Sequence, residues 1–186
     1  MKKEIRVLGI DDSPFDKFKD KECLVVGAFY RGGNYPDGIL SSSVKVDGTD
    51  STSKIVNMVI KSRFRKQLHC IMLDGISLAG FNVVDIGKVY EKTGIPVLVV
   101  ARNYPDFGKI RSALDKIGKP NRFRLLEKAG NPVKAGKVYV QFKGMSLQHA
   151  KEILRITSTH SYIPEPIRLA HLIGAGITTG ESRGNA

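Results

Sequence analysis

No apolar run in this chain of 186 residues approaches the ~20 that a membrane helix requires. The N-terminus, MKKEIRVLGIDD, is basic but lacks the ~7–15-residue apolar core of a secretory signal. A soluble, cytoplasmic protein is the expectation. Cysteine is scarce: Cys23 and Cys70 both fall inside expected strands and lack metal-ligand spacing. They read as small buried hydrophobes, which excludes a cysteine-built metal site. The glycine-rich stretches match neither the phosphate-loop nor the dinucleotide fingerprint, so no nucleotide loop is expected. No Ser/His/Asp constellation stands out by spacing, and there is no internal repeat or low-complexity tract. Acidic residues are the other shortage. They number 18 against 30 Lys and Arg, giving a net charge of +12 and a pI near 9.8. Such an excess points to a polyanionic partner. With no basic amphipathic anchor for a membrane surface, nucleic acid ranks first. Charge alone does not separate DNA from RNA.

What is present is the composition of a globular domain: 41% hydrophobic and 26% charged residues, in a length that suits one core. Residues 1–175 are expected to form a single domain, and the glycine-rich GITTGESRGNA of 176–186 a flexible tail. The organising stretch is 68–85, LHCIMLDGISLAGFNVVD. Its apolar run reads as a buried strand that stops at Asp74, followed by Gly75 and a small-residue loop. In α/β sheets chemistry gathers at the carboxyl ends of strands, and a charge there is costly unless paired. Asp74 is therefore the first functional candidate, although Asp also opens loops and caps helices.

Strands are expected at 5–11, 22–31 and 39–46, with 32–38 as the turn of a hairpin. A helix follows from Ser51 to about Phe64, with Asp50 or Ser51 as its N-cap. The Asp74 strand comes next, then a helix over 83–93 that Gly94 ends, and an apolar strand at 95–102 finishing on Arg102. Helical segments at 106–117 and 121–129, a strand at 137–142, a helix at 146–156 and a last helix begun near Pro166 complete the chain. Three antiparallel strands followed by βα units make an α/β protein with a mixed sheet. That element order matches a ribonuclease H-like architecture, in which the first and fourth strands are parallel neighbours. Their adjacency would bring Asp11 and Asp74 together.

Asp11, Asp74 and the Asp47/Asp50 pair thus stand at corresponding ends of elements. Carboxylates crowded in one crevice raise each other's pKa, and a hard divalent cation relieves them. Mg²⁺ (or Mn²⁺) is the expected cofactor, with phosphodiester cleavage as the chemistry. A phosphate-binding surface is expected from Lys109, Arg111, Lys116, Lys119, Arg122, Arg124 and Lys128. Phe107 and Phe123, interleaved there, could stack on bases or pack in the core. His69 reads as a packed core residue, and His149 and His160 as surface residues. His171 shares a helix face with Arg168.

Four motifs carry a resemblance to a known family: LGIDDSPF at 8–15, VDGTDST at 46–52, MLDGISLAGFNVVD at 72–85 and EPIRLAHLIG at 165–174. Together they resemble the archaeal endonuclease dU family, once grouped as a domain of unknown function. That family is similar to endonuclease V and shares its ribonuclease H-like fold. The resemblance implies a metal-dependent endonuclease acting on DNA at deaminated bases, deoxyuridine in particular. It implies metal ligation by Asp11, Asp74 and a third carboxylate. Endonuclease V has a Glu before its first helix where this chain offers Asp50, or Asp47. Arg102 matches a lysine of endonuclease V and would steady phosphate charge, with Lys109, Arg111, Arg122, Arg124 and Arg168 on the nucleic acid. The Pro-Tyr-Ile-Pro wedge of endonuclease V is missing before Asp50. Lys143 stands where that enzyme has a histidine. A non-cleaving nucleic-acid-binding protein and an inosine-directed nuclease of RNA or DNA are the alternatives.

Overall fold

The chain enters its sheet on β1, Arg6–Asp12, whose residues are buried from Val7 through Asp11. A strand covered on both faces needs side chains that avoid water on both, hence a continuous apolar run rather than alternation. The computed structural model describes residues 4–182. β2 (Glu22–Arg31) and β3 (Tyr35–Lys45) follow as antiparallel neighbours of β1 and of each other in turn. The turn is shorter than the seven residues expected, and the YPDG segment belongs to β3. An irregularity between Phe29 and Tyr30 absorbs the register shift that sets Tyr30 opposite Pro36. β3 is an edge strand, where the missing proline N–H costs nothing. Asp37 accepts from Arg31 Nε and Nη2 at 3.1 and 3.0 Å and locks the turn.

Helix α1, Ser51–Lys61, ends before the expected Phe64, whose ring instead stacks on Phe29 with centroids 4.2 Å apart. β4, Cys70–Asp74, is followed by a two-stranded ribbon of β5 (Ser77–Leu78) and β6 (Asn82–Val83). That ribbon takes the start of the expected 83–93 helix. α2 begins only at Ile86, after the Asp85 side chain accepts from Lys88 N, and runs to Thr93. Beyond β7 (Val97–Ala101) lie α3 (Phe107–Lys116) and α4 (Phe123–Lys128). A short β8 (Val133–Ala135), not anticipated, then pairs with β9 (Val138–Lys143). α5 (Leu147–Thr157) and α6 (Glu165–Thr179) close the fold.

The seven-stranded sheet has the order β3-β2-β1-β4-β7-β9-β8. It is mixed: β1–β4 and β4–β7 are parallel, and the other pairs antiparallel. The expected adjacency of the first strand and the Asp74 strand is present. Two apolar cores lie on its faces. One is gathered around Leu8, Ile10, Ile71 and Leu73 with α1 and α2, the other around Val7, Met72, Leu98 and Ile167 with α5 and α6. α6 lies close on β1 because Gly9 offers no side chain. A Cβ there would collide with the backbone of Pro166 and Ile167.

The boundary expected at 175/176 falls inside α6. The helix continues to Thr179 and ends on Gly180, which takes the left-handed conformation (φ 82). Glycine and β-branched residues favour helices poorly. Here Thr178 Oγ1 donates to Gly174 O at 2.9 Å and Thr179 Oγ1 to Ala175 O at 2.8 Å, binding the last turn to the one before. Residues 183–186 of the expected tail lie outside the described residues. Among the described residues, no helix is long and apolar enough to cross a membrane.

Candidate active site

Strand register places the acids. Ile10 pairs with Leu73 across the parallel β1–β4 pair, so one further step sets Asp11 beside Asp74. Asp74 pairs with Val100 on β7, and two residues on comes Arg102. Side chains alternate faces along a strand, so Asp11, Asp74 and Arg102 share the face that α6 covers. Gly174 lets the far end of α6 lie against Ser13, where a Cβ would meet Ser13 Oγ at 2.6 Å. His171 is carried over Asp11 as a result.

Asp11 is 6% exposed. Its Oδ2 lies 2.9 Å from His171 Nδ1, and its Oδ1 accepts from Asp12 N at 2.9 Å. A carboxylate can only accept here, so the histidine proton sits on Nδ1. Arg102 Nη1 reaches Asp74 Oδ2 at 3.3 Å and Oδ1 at 3.4 Å. Asp12 turns to the other face, where its Oδ2 accepts from Ala79 N at 3.0 Å. Burial, then the Asp11 charge, push the Asp12 carboxyl up to about 6. Burial and Asp11 likewise raise Asp74, against the lowering effect of Arg102. The bond to Asp11 raises His171, opposed by burial. Asp11, Asp74, His171 and Arg102 thus share one face, and Asp12 adds its charge from the other. Perturbed titration of this kind marks functional sites more often than ordinary surface.

The third expected carboxylate is not among them. Asp50 Oδ1 accepts from Lys45 N at 3.1 Å and from Asn82 Nδ2 at 2.7 Å. The fully buried Asn82 also accepts from Ser51 N at 3.0 Å, so Asp50 helps pin the start of α1 to β6. Asp47 Oδ1 accepts from Phe81 N at 2.7 Å. The sequence missed the contact of Asp12 with Ala79 and the partner of Asp11, His171. The stripe Ile167, Ala170, Gly174 places position 171 at the margin of a buried helix face, but only the topology says which strand end it meets.

The expected cations divide into two groups. Arg122 is committed inside the fold, donating to Phe81 O at 2.8 Å and Asp47 O at 2.7 Å, and Lys119 Nζ donates to Asp47 O at 2.7 Å. Arg168 is held by the buried Glu165 at 2.8 Å. Lys109, Arg111 and Arg124 stand exposed, Lys109 near Asp106 at 3.3 Å and Arg111 near Glu127 at 3.5 Å. Phe107 and Phe123 meet edge to face at 6.2 Å around the small core of Val83, Leu114 and Leu126, so packing is their use. His69 precedes β4 and is exposed rather than packed, with Nδ1 accepting from Arg6 N at 3.4 Å. His149 and His160 are exposed as expected. Both cysteines are free and buried, and burial pushes their thiols up, to about 12 for Cys23, so neither is a nucleophile.

Among the described residues, no group of three or more His, Cys, Asp or Glu is arranged to hold a metal by itself. Asp11 and Asp74 nonetheless offer hard oxygen donors whose crowded negative charge a cation would relieve. Mg²⁺ is commonly held by one or two carboxylates, with waters and substrate phosphates completing its shell. The donor set fits such an ion.

Comparison with known proteins gives a consistent picture. The family model described as Endonuclease dU matches residues 3–178. A UPF0215 protein of Methanothermobacter thermautotrophicus is 47% identical over 191 residues, covering 100% of this chain and 94% of the relative. The crystal structure of a protein from Archaeoglobus fulgidus superposes with a TM-score of 0.87 at 39% identity, covering 94% of this chain and 98% of that one. Human ENDOV superposes with a TM-score of 0.59 at 17% identity, covering 90% and 81%. Ciona intestinalis endonuclease V, solved with a 24mer DNA containing an inosine followed by a ribo-adenosine, gives 0.56 at 16% identity, covering 90% and 82%. The fold is thus that of endonuclease V, the ribonuclease H-like mixed sheet.

Proposed function

The chain belongs to the endonuclease dU family, and from that premise we propose that it is a metal-dependent endonuclease cutting DNA at or near deoxyuridine. The observation that carries the reading is the pairing of Asp11 and Asp74 on adjacent parallel strand ends, with His171 and Arg102 against them. Asp11 and Asp74 would hold the divalent ion, which supplies Lewis acidity and an activated water. Asp11 fixes His171 in one tautomer through Nδ1, which leaves Nε2 as the atom able to hold or pass a proton. Arg102 balances Asp74 at rest and can turn its planar fork to a phosphate oxygen. The exposed Lys109, Arg111 and Arg124 supply backbone affinity. A deaminated base pairs weakly, so drawing it out of a stack costs little.

The DNA-bound structural neighbour contains inosine, which supports a second reading, an inosine-directed nuclease. A cleavage panel separates them: uracil, hypoxanthine and unmodified strands, as DNA and as RNA, with Mg²⁺ and with EDTA. Cutting of uracil DNA only, abolished by EDTA, is the expected result. Equal cutting of hypoxanthine strands favours the second reading, and none at all leaves a binding protein.

A further inference from the structure

The loop from β1 to β2 leaves the sheet at the end that bears the acids. It is anchored at both ends. Ser13 N donates to Leu24 O at 2.8 Å, and Cys23 Sγ donates to Ser13 O at 3.2 Å. Phe15 packs on the first core beside Gly80, in the segment whose Ala79 N–H is held by Asp12. Beyond Phe15 the chain folds into a self-bonded turn. The Asp16 carbonyl accepts from Lys19 N at 3.1 Å and from Asp20 N at 2.8 Å. The Asp16 side chain accepts from Phe18 N at 2.9 Å, and Asp20 Oδ2 accepts from Asp16 N at 2.7 Å. At the tip stands Phe18, 86% exposed, more than any other large hydrophobic among the described residues. Lys17, Lys19 and Lys21 flank it, all exposed, with Lys17 Nζ 4.8 Å from the ring centroid.

An exposed phenylalanine forgoes the stabilisation that burial would give, yet the hydrogen bonds of this turn hold it in place rather than letting it fold back. An aromatic held in place with Lys17 at its ring and Lys19 Nζ 3.7 Å from Asp16 suits a chain of flat rings joined by phosphates. We propose that Phe18 is a base-stacking residue, a platform for an unpaired base of the bound strand at the acid-bearing end of the sheet, with Lys17 and Lys19 on the neighbouring phosphates. The proposal rests on the nucleic-acid reading above and adds the residue that grips the strand. It needs unpaired bases, because a duplex hides the faces on which an aromatic stacks.

The chain contains no tryptophan, so Phe18→Trp introduces a single indole reporter at the position in question. Binding is followed in EDTA, to prevent cleavage, by anisotropy of a labelled single-stranded oligonucleotide carrying one deoxyuridine. Quenching of the indole emission on binding is expected. Phe18→Ala and Phe18→Leu should both weaken binding by about 5- to 150-fold, the range one base–aromatic stack commands, with unchanged unfolding temperatures. Phe18→Trp should bind as tightly as wild type. Leucine keeps the apolar bulk without the π-face, so wild-type affinity of Phe18→Leu would overturn the stacking role. Unchanged indole emission with a strand that still binds would overturn it too, and would leave the nucleic-acid reading standing. A strand that wild type fails to bind at all would overturn both.

Discussion

The two ends of the seven-stranded sheet differ in a way that separates shape from chemistry. Where β1, β4 and β7 begin there is a cavity of about 410 Å³, lined by Ile5, Arg6, His69, Pro96, Met145 and His149. Where the same strands end, Asp12 and Asp74 are raised and His171 is tied to Asp11. A large apolar-lined pocket is the usual first guess for a site. Here the cavity brings no pair of acids together, while the opposite end concentrates charge that the fold keeps at a cost. The same contrast runs through the cations. Arg122 and Lys119 are spent on carbonyl oxygens, whereas Lys109 and Arg124 face solvent.

The largest effect should come from Asp74→Asn. Single-turnover cleavage of a uracil-containing strand should fall by more than about 10⁴-fold, beyond the loss of one acid–base group. Binding of the same strand should be kept or tightened, since a negative charge is removed. The matched substitution at the cavity end, His149→Ala, should leave cleavage within about twofold, as surface changes generally do. Near-normal cleavage by Asp74→Asn would remove it from the mechanism. Next comes His171→Gln, expected to lower the rate by about 10²–10⁴-fold if Nε2 handles a proton. An unchanged pH–rate profile in that variant would reduce His171 to a structural prop for Asp11.

Stability effects are smaller and test the cost of the acidic end. Asp12 is held near 6 in the folded protein against 3.8 for an unperturbed carboxyl. The folded state therefore binds the extra proton, and ionised Asp12 lowers stability as pH rises from about 4 through 6. Asp12→Asn keeps an acceptor for Ala79 N and removes the charge. In EDTA it should raise stability by about 1–3 kcal/mol at pH 7–8 and change little at pH 4, read by thermal unfolding. Equal curves at pH 8 would mean the strain is absent. Arg122→Ala should instead destabilise by about 1–3 kcal/mol at either pH, because Phe81 O is left without its donor and Asp47 O keeps only Lys119. Smallest is the charge reversal of Lys109 and Arg111. For each phosphate no longer neutralised, the salt dependence of binding should flatten by about 0.7–0.9 log units per decade. An unchanged slope would move the footprint elsewhere.

Much of this is legible in the sequence alone. The runs ending at Asp11 and Asp74, and the crossover helix between them, imply parallel neighbours with paired acids, because apolar continuity and chain connectivity leave little choice. Asp50 is turned to another task for a physical reason: a carboxylate at a strand-to-helix junction has a backbone to serve, and Lys45 N and Asn82 hold it. Arg122 misleads in the same way, since a cation on a basic segment reads alike whether it faces a phosphate or a carbonyl. His171 is visible as a position but not as a partner. The glycines at 9 and 174 that let α6 descend onto β1 act between segments that sequence order keeps far apart.

That descent of α6 also sets a clock on synthesis. Asp11 and His171 lie 160 residues apart, near opposite ends of the chain. At about 5–20 residues per second, roughly 10–30 s pass between the emergence of one and the other from a ribosome. The β1–β2–β3 meander can form meanwhile from local contacts, and β4 can dock beside it, bringing the two acids together. Until α6 arrives, Asp11 has no histidine and the second core no lid. Arrival of α6 and completion of the acidic centre are then one event, so a message cut short before α6 would yield protein that folds in part but lacks the histidine beside Asp11.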